Sequence, residues 1–228
     1  MKKKLIVLTG AGISAESGIK TFRDSDGLWE NHDVMDVASI DGWERNPQLV
    51  LEFYNQRRKQ LYDVVPNAGH IGLAELENAF DVHIITQNVD DLHERAGSTR
   101  IVHLHGELKK VRSVKNPFKV FDLEGWEVKW GDMAEDGHQL RPHIVWFGEE
   151  VPMMDMAAMI TEQADILAII GTSLQVYPAA GLLHYAPAHI PKYLIDPKGE
   201  MVRGVENLTV INKTATQGVA ELKQLLLA

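Results

Sequence analysis

Short apolar runs, each closed by a cluster of small polar residues, recur along this chain and restrict its fold more than any other feature. Leu5-Ile6-Val7-Leu8 runs into Thr9-Gly10-Ala11-Gly12, and Val82–Thr86 into Gln87-Asn88-Val89-Asp90. Ile101–Leu104 ends at His105-Gly106-Glu107, His143–Trp146 at Phe147-Gly148-Glu149-Glu150, and Ile166–Ile170 at Gly171-Thr172-Ser173. Runs this short and this apolar fit strands buried on both faces. Between them lie segments with helical character: Ala11–Gly18, Pro47–Val64, Asn67–Phe80, Asp90–Ala96, Met153–Gln163, Ala179–Ala186 and Thr216–Leu227. Pro47 suits a first helical turn and Asn67 an N-cap. Tyr193–Ile195 and Leu208–Ile211 add two further strands.

The alternation predicts an α/β fold: a doubly wound, mainly parallel, Rossmann-like sheet covered by helices on both faces. Ligands on such sheets bind beyond the strand C-termini, where all five polar clusters fall. Thr21–Asp33 reads as a long loop. Leu108–Trp130 breaks the pattern, with the β-like pieces KVFDL and WEVKW separated by Asn-Pro and Glu-Gly turns. The resulting division is 1–32, 64–105 and 140–228 for the large domain. Residues 33–63, mainly helical, and 106–139, with β pieces, form a small one.

The 228 residues carry a formal charge of −9. A net acidic field disfavours non-specific nucleic-acid binding and anionic membrane surfaces, so neither partner is expected. Arg57-Arg58-Lys59, the strongest basic cluster, reads as a solvated helix face. Cysteine is absent, which excludes disulfides, thiolate nucleophiles and cysteine-ligated zinc. The apolar stretch after MKKK is too short for a signal peptide, and no run approaches the length of a membrane span. A cytoplasmic protein is the expectation.

Gly10, Gly12 and Ala15 match the loose dinucleotide pattern G-x-G-x-x-[G/A]. A hydride-transferring dehydrogenase would show a second strand ending in an acid about 20 residues on. TFRDSDGLWENHD has the acids but no apolar strand before them. Alone, the pattern fits a tight strand–helix turn equally well.

Five blocks together say more: GAGISAESGIKTFR (10–23), TQNVDDLHERAG (86–97), LHGEL (104–108), LRPHIVWFGEEVP (140–152) and GTSLQVYPAA (171–180). In order and spacing they resemble the sirtuin family of NAD-dependent protein-lysine deacylases. The resemblance implies that NAD is consumed rather than reduced. Lysine is unmasked on acyl-lysine proteins or peptides, releasing nicotinamide and O-acyl-ADP-ribose. It implies His105 as the catalytic base, whose ordinary pKa of about 6.5 suits proton transfer near neutrality, with Asn88 assisting. His103, two residues earlier, could be confused with it. Gly10, Ala11, Gly12, Ser14, Phe22, Arg23, Gln87, Asn88, Asp90, Gly171, Thr172, Ser173, Asp196 and Ala215 fall on cofactor-binding positions, with Thr214 beside Ala215. Asn88 and Asp90 would also serve as helix caps. The N-terminus of an Ala11–Gly18 helix would offer N–H groups to the pyrophosphate. Val145, Trp146, Phe147, Gly148 and Glu149 fall on the peptide channel, where the two aromatics also suit core packing.

Within the family, EFYNQRRKQL resembles the branch that removes succinyl, malonyl and glutaryl groups. Tyr54 and Arg57 stand three apart on one helical face, and the resemblance makes them the ligands of the acyl carboxylate. Guanidinium binds a carboxylate bidentately. Ala15 would widen the same pocket, and deacetylation stays open beside desuccinylation. Two departures stand out. Lys20 occupies a place where proline is usual. Typical sirtuins carry two cysteine pairs that hold a structural zinc; Ser113 and Asn116 stand where the first pair would, and no metal site is expected. An apolar cluster of Phe118, Val120, Phe121, Val128 and Trp130 would then hold the module. An NAD-dependent protein ADP-ribosyltransferase, or a non-catalytic module binding NAD or ADP-ribose, is the alternative.

Overall fold

The computed structural model describes residues 2–20, 28–29, 32–172, 174 and 177–228. Phe22, Arg23 and Ser173 lie outside them. The chain opens with β1 (Lys4–Thr9) and two single 3-10 turns, Ala11–Ile13 and Ala15–Ser17. A hairpin, β2 (Leu28–Trp29) and β3 (His32–Asp33), precedes α1 (Val34–Val37), α2 (Ile40–Arg45), α3 (Pro47–Leu61) and α4 (Ala68–Leu76). Then come β4 (Asp81–Thr86), α5 (Leu92–Arg95), β5 (Ile101–His103), β6 (Gly106–Ser113), β7 (Val120–Asp122) and β8 (Leu140–Ile144). The chain closes with α6 (Met154–Thr161), β9 (Ile166–Ile170), a 3-10 segment Ala179–Tyr185, β10 (Lys192–Ile195), β11 (Leu208–Ile211) and α7 (Ala215–Leu227).

Six strands form a parallel sheet in the order β11-β10-β9-β1-β4-β5. β1 lies inside it because its residues are apolar on both faces: Leu5 and Val7 face the layer of α4 and α7, Ile6 and Leu8 the layer of α6 and the Ala179–Tyr185 turns. The chain winds outward from β1 one way to β4 and β5, then the other way through β9 to β11. The crevice between β1 and β9 is therefore the topological switch point, where such sheets take their ligands.

β6, β7 and β8 make a separate antiparallel sheet in the order β7-β6-β8. The strand expected to resume the parallel alternation, His143–Trp146, thus overlaps β8 of this small sheet instead, and the boundary expected before residue 140 falls inside it. Burial on both faces made the segment resemble a parallel strand.

Other expectations also need correction. Ala11–Gly18 is no continuous helix but two 3-10 turns, the second capped by Gly18 at φ +96°. WEVKW forms no strand. Its backbone bonds instead to α3: Asn55 donates to the Val128 carbonyl at 3.0 Å and accepts the Val128 N–H at 2.9 Å. Arg58 donates to the Trp126 carbonyl at 2.7 Å. Arg57 and Arg58 are buried, at 7% and 1% exposure, so the basic run is not a solvated face. The module's core is Leu51, Val111 and Val128, flanked by Trp43, Phe121, Leu123 and Leu140. Phe118, Val120 and Trp130 lie on the surface instead.

Candidate functional site

At the switch point the turns after β1 and β9 touch. Gly10 donates its N–H to the Ile170 carbonyl at 3.0 Å and Gly12 to that of Gly171 at 2.8 Å. A Cβ on Gly12 would stand 2.6 Å from the Gly171 Cα, and one on Gly10 2.8 Å from the Thr172 Cβ. These glycines therefore exist for close backbone approach. Their N–H groups are spent on carbonyls, which corrects the expected helix N-terminus with free donors.

Beneath the turn lies a buried polar network. Ser14 donates its hydroxyl to Asp90 at 3.0 Å and accepts from the Asn88 amide at 3.1 Å. His70 Nδ1 receives the Asn67 N–H at 3.3 Å, so the ring proton sits on Nε2 and points at Ser14 Oγ, 3.4 Å away. Thr9 donates to Thr86, which in turn receives the Asn88 N–H. Burial pulls His70 down to about 4 and His93, packed edge-on against it at 4.9 Å, well below the ordinary value. Both rings are neutral near pH 7. Burial raises Asp90 above the usual carboxylate range, against the Leu92 N–H and the Ser14 hydroxyl. Each carboxyl oxygen takes one of those bonds, leaving acceptor capacity on a group that lines the cavity.

His105 leads into β6. Its Nδ1 stands 3.0 Å from the Gln87 carbonyl. A carbonyl only accepts, so the proton is on Nδ1 and Nε2 keeps its lone pair. Burial lowers its pKa below 6.5, opposed by that bond. The result is a neutral imidazole near pH 7 with its Nε2 lone pair available, the form a general base needs.

A cavity of about 500 Å³ runs across these strand ends, within the range usual for small-molecule sites. Gly10, Ala11, Gly12, Ser14, Gln87, Asn88, Asp90, His105, Gly171, Thr172, Asp196 and Ala215 all line it. At the other end Ala15, Tyr54, Arg57 and Val145–Glu149 complete the wall. Tyr54 is fully buried, and Trp146 donates its indole N–H to the phenol oxygen at 3.0 Å. Burial pushes the Tyr54 hydroxyl up to about 12, so it keeps its proton. Glu149 accepts from Arg112 at 2.9 Å, from both terminal nitrogens of Arg141 at 2.8 and 3.0 Å, and from the Trp146 N–H at 2.8 Å. Its carboxylate is a fastener of the wall. Arg141 lies flat on the Trp146 ring, 3.4 Å from its centroid. Sequence reasoning missed this fastener, and also His70, although His70 sits three residues after the recognised cap Asn67, where a capping box closes.

The donor set suits a dinucleotide. Amide and carboxylate groups from Asn88 and Asp90 match a carboxamide, and buried Asp196 offers an acceptor at the far side of the glycine turns. At the first cysteine-pair position, Ser113 Oγ accepts the N–H groups of Lys115 and Asn116 at 3.0 and 3.4 Å, and it bonds to Asp136. Among the described residues no group of three or more His, Cys, Asp or Glu is placed to hold a metal ion.

Comparison with known proteins agrees with this geometry. The Sir2 family model matches residues 10–178. An NAD-dependent protein deacylase of Bacteroides thetaiotaomicron is 59% identical over 230 positions, covering 99% of this chain and 98% of its own. One from Helicobacter pylori is 58% identical over 96% of each chain. A mutant Sir2 homologue in complex with ADP-ribose superposes with a TM-score of 0.89 at 36% identity, covering 100% of this chain and 95% of its own. A Sir2 homologue in complex with NAD gives 0.88 at 36% identity, covering 99% and 90%. This chain belongs to the Sir2 family.

Proposed function

We propose that the chain is an NAD-dependent protein deacylase whose pocket is built for acyl-lysines that end in a carboxylate, with acetyl-lysine as a second substrate. The observation that carries the acyl preference is one cavity wall. Tyr54 and Arg57, from one face of α3, line the same cavity as His105, Asn88 and Asp90. A protonated phenol and a guanidinium are donors only the carboxylate of an acid acyl group would need.

NAD, when bound, supplies a ribose carbon that can lose nicotinamide and accept an oxygen nucleophile. Asn88 and Asp90 hold the carboxamide end, with Ser14 fixing both side chains. Gln87, whose amide donates to Thr172 at 3.2 Å, ties the two sides of the crevice. The glycine turns admit the phosphates, and Asp196 with Ala215 takes the adenosine end. His105 Nε2 removes a hydroxyl proton at neutral pH, because its pKa lies below 6.5. Val145–Gly148 guide the lysine, and buried Trp146 excludes water from the acyl arm.

The test is one assay. Protein, NAD and either succinyl- or acetyl-lysine peptide are incubated, and nicotinamide release and peptide mass are followed. Peptide-dependent release with loss of the acyl mass supports the reading. NAD label appearing on protein, or no release with any acyl peptide, sinks the deacylase. A succinyl rate unmoved by Arg57→Met sinks the acyl preference.

A further inference from the structure

Two histidines alternate on one strand end and do different work. The loop after β4 turns away from the sheet with three consecutive carbonyls, and one segment holds all three. His105 Nδ1 takes Gln87 O at 3.0 Å, His103 Nδ1 takes Asn88 O at 3.0 Å, and the Leu108 N–H takes Val89 O at 2.8 Å. At its other nitrogen His103 differs from His105: Nε2 stands 2.7 Å from Glu94 Oε1. Carbonyl and carboxylate both accept, so both ring nitrogens of His103 carry protons. The His103 side chain is 9% exposed and that of Glu94 41%.

We propose that His103 is a positioning residue for the reaction: an imidazolium held by Glu94 that clamps the Asn88 carbonyl and keeps the Asn88 and Asp90 side chains aimed into the cavity. The bond to Asn88 is charge-assisted and therefore roughly twice as strong as a neutral one. The charged neighbours agree. Burial pulls the His103 pKa down, but Glu94, the more distant Glu107 and the Asn88 carbonyl together raise it above 6.5. Asp90 feels the cation as a stabilising charge, while His93 is pushed further toward its neutral form. Lys110 bonds to Glu107 at 2.8 Å and so tempers that carboxylate.

The proposal rests on the deacylase reading for its kinetic consequence, though not for the ionisation state. Long-range proton–nitrogen NMR of the histidine rings at about pH 7.5 is expected to show His103 with two protonated nitrogens and His105 protonated on Nδ1 alone. A neutral His103 overturns the proposal. His103→Ala is expected to lower kcat about 10–100-fold while the acyl-peptide KM stays within about twofold. An unchanged kcat overturns it. Glu94→Gln tests the clamp without emptying the interior. The neutral amide no longer stabilises the imidazolium as Glu94 does, so the fall of activity on the alkaline side of the parent's profile should move to lower pH. A profile superposing on the parent's overturns the idea. If the parent unmasks no acyl-lysine peptide, the deacylase reading fails, while the ring spectra still decide the state of His103.

Discussion

At the scale of single residues, the proposed acyl preference turns on Tyr54. Its oxygen accepts from Trp146, and its own proton, retained to about pH 12, is left for a ligand. Tyr54→Phe is expected to lower kcat/KM for succinyl-lysine peptide about 10–100-fold, as loss of a hydrogen bond to a charged group should. Acetyl-lysine should suffer much less, and equal losses on both peptides in steady-state assays would refute the pairing. As the proposed base, His105 should set the acid limb of activity. Its pKa lies below 6.5, so the base stays free as pH falls to that point and is lost only beneath it. A kcat/KM profile whose acid limb is centred above 6.5 would argue against it. That Tyr54 and Arg57 share a face was legible in the sequence because three residues on a helix is a fixed geometry, whereas their expected role came only from the resemblance carried by EFYNQRRKQL. The role of His103 was not, because its partner depends on the register that pairs Thr86 with His103.

One helix serves two clients. On α3, Tyr54 and Arg57 face the cavity, while Asn55 and Arg58 grip the segment 126–128 of the small module. Burial depresses Arg58 to about 10, yet it stays charged at neutral pH. Arg58→Met leaves the Trp126 carbonyl without its donor, and Asn55→Ala strips both Val128 backbone groups. The first is expected to cost about 1–3 kcal/mol and the second about 2–6 kcal/mol, at about 1–3 kcal/mol for each buried polar group left unpaired. A urea midpoint unchanged in either variant would contradict this. The misread WEVKW segment belongs here. A strand was expected there, but the backbone groups of Trp126 and Val128 bond to side chains of α3, 68 and 73 positions away. Propensity carries no trace of such partners. Likewise a helix was expected over Ala11–Gly18 from its place after β1, and there Gly12 instead packs against Gly171 across the sheet.

Across the whole molecule, the alternation of strands and helices announced the parallel sheet and the location of the site. It left the strand order open and assigned His143–Trp146 to the parallel sheet, whereas the strand there, Leu140–Ile144, pairs with β6. Stability should depend on pH through the buried neutral histidines. His70 and His143 are both pulled from 6.5 to about 4 by burial. The unfolded chain binds their protons first, so stability is complete above 6.5 and declines as pH falls toward 4. Each shift is worth as much as about 3 kcal/mol at about 1.4 kcal/mol per pKa unit. Thermal unfolding should therefore fall over that window, and His70→Asn should flatten the slope. A midpoint level from pH 7 to 4 would contradict the linkage. The small module rests on Ser113–Asp136, on α3 and on a compact apolar core. EDTA should leave Tm unmoved, and about one equivalent of zinc on elemental analysis would count against this account. With no cysteine anywhere in the sequence, peroxide, nitric oxide and electrophilic drugs find no thiolate cage here to attack. Lysine unmasking by this protein should persist through an oxidative burst that disarms relatives dependent on such a cage.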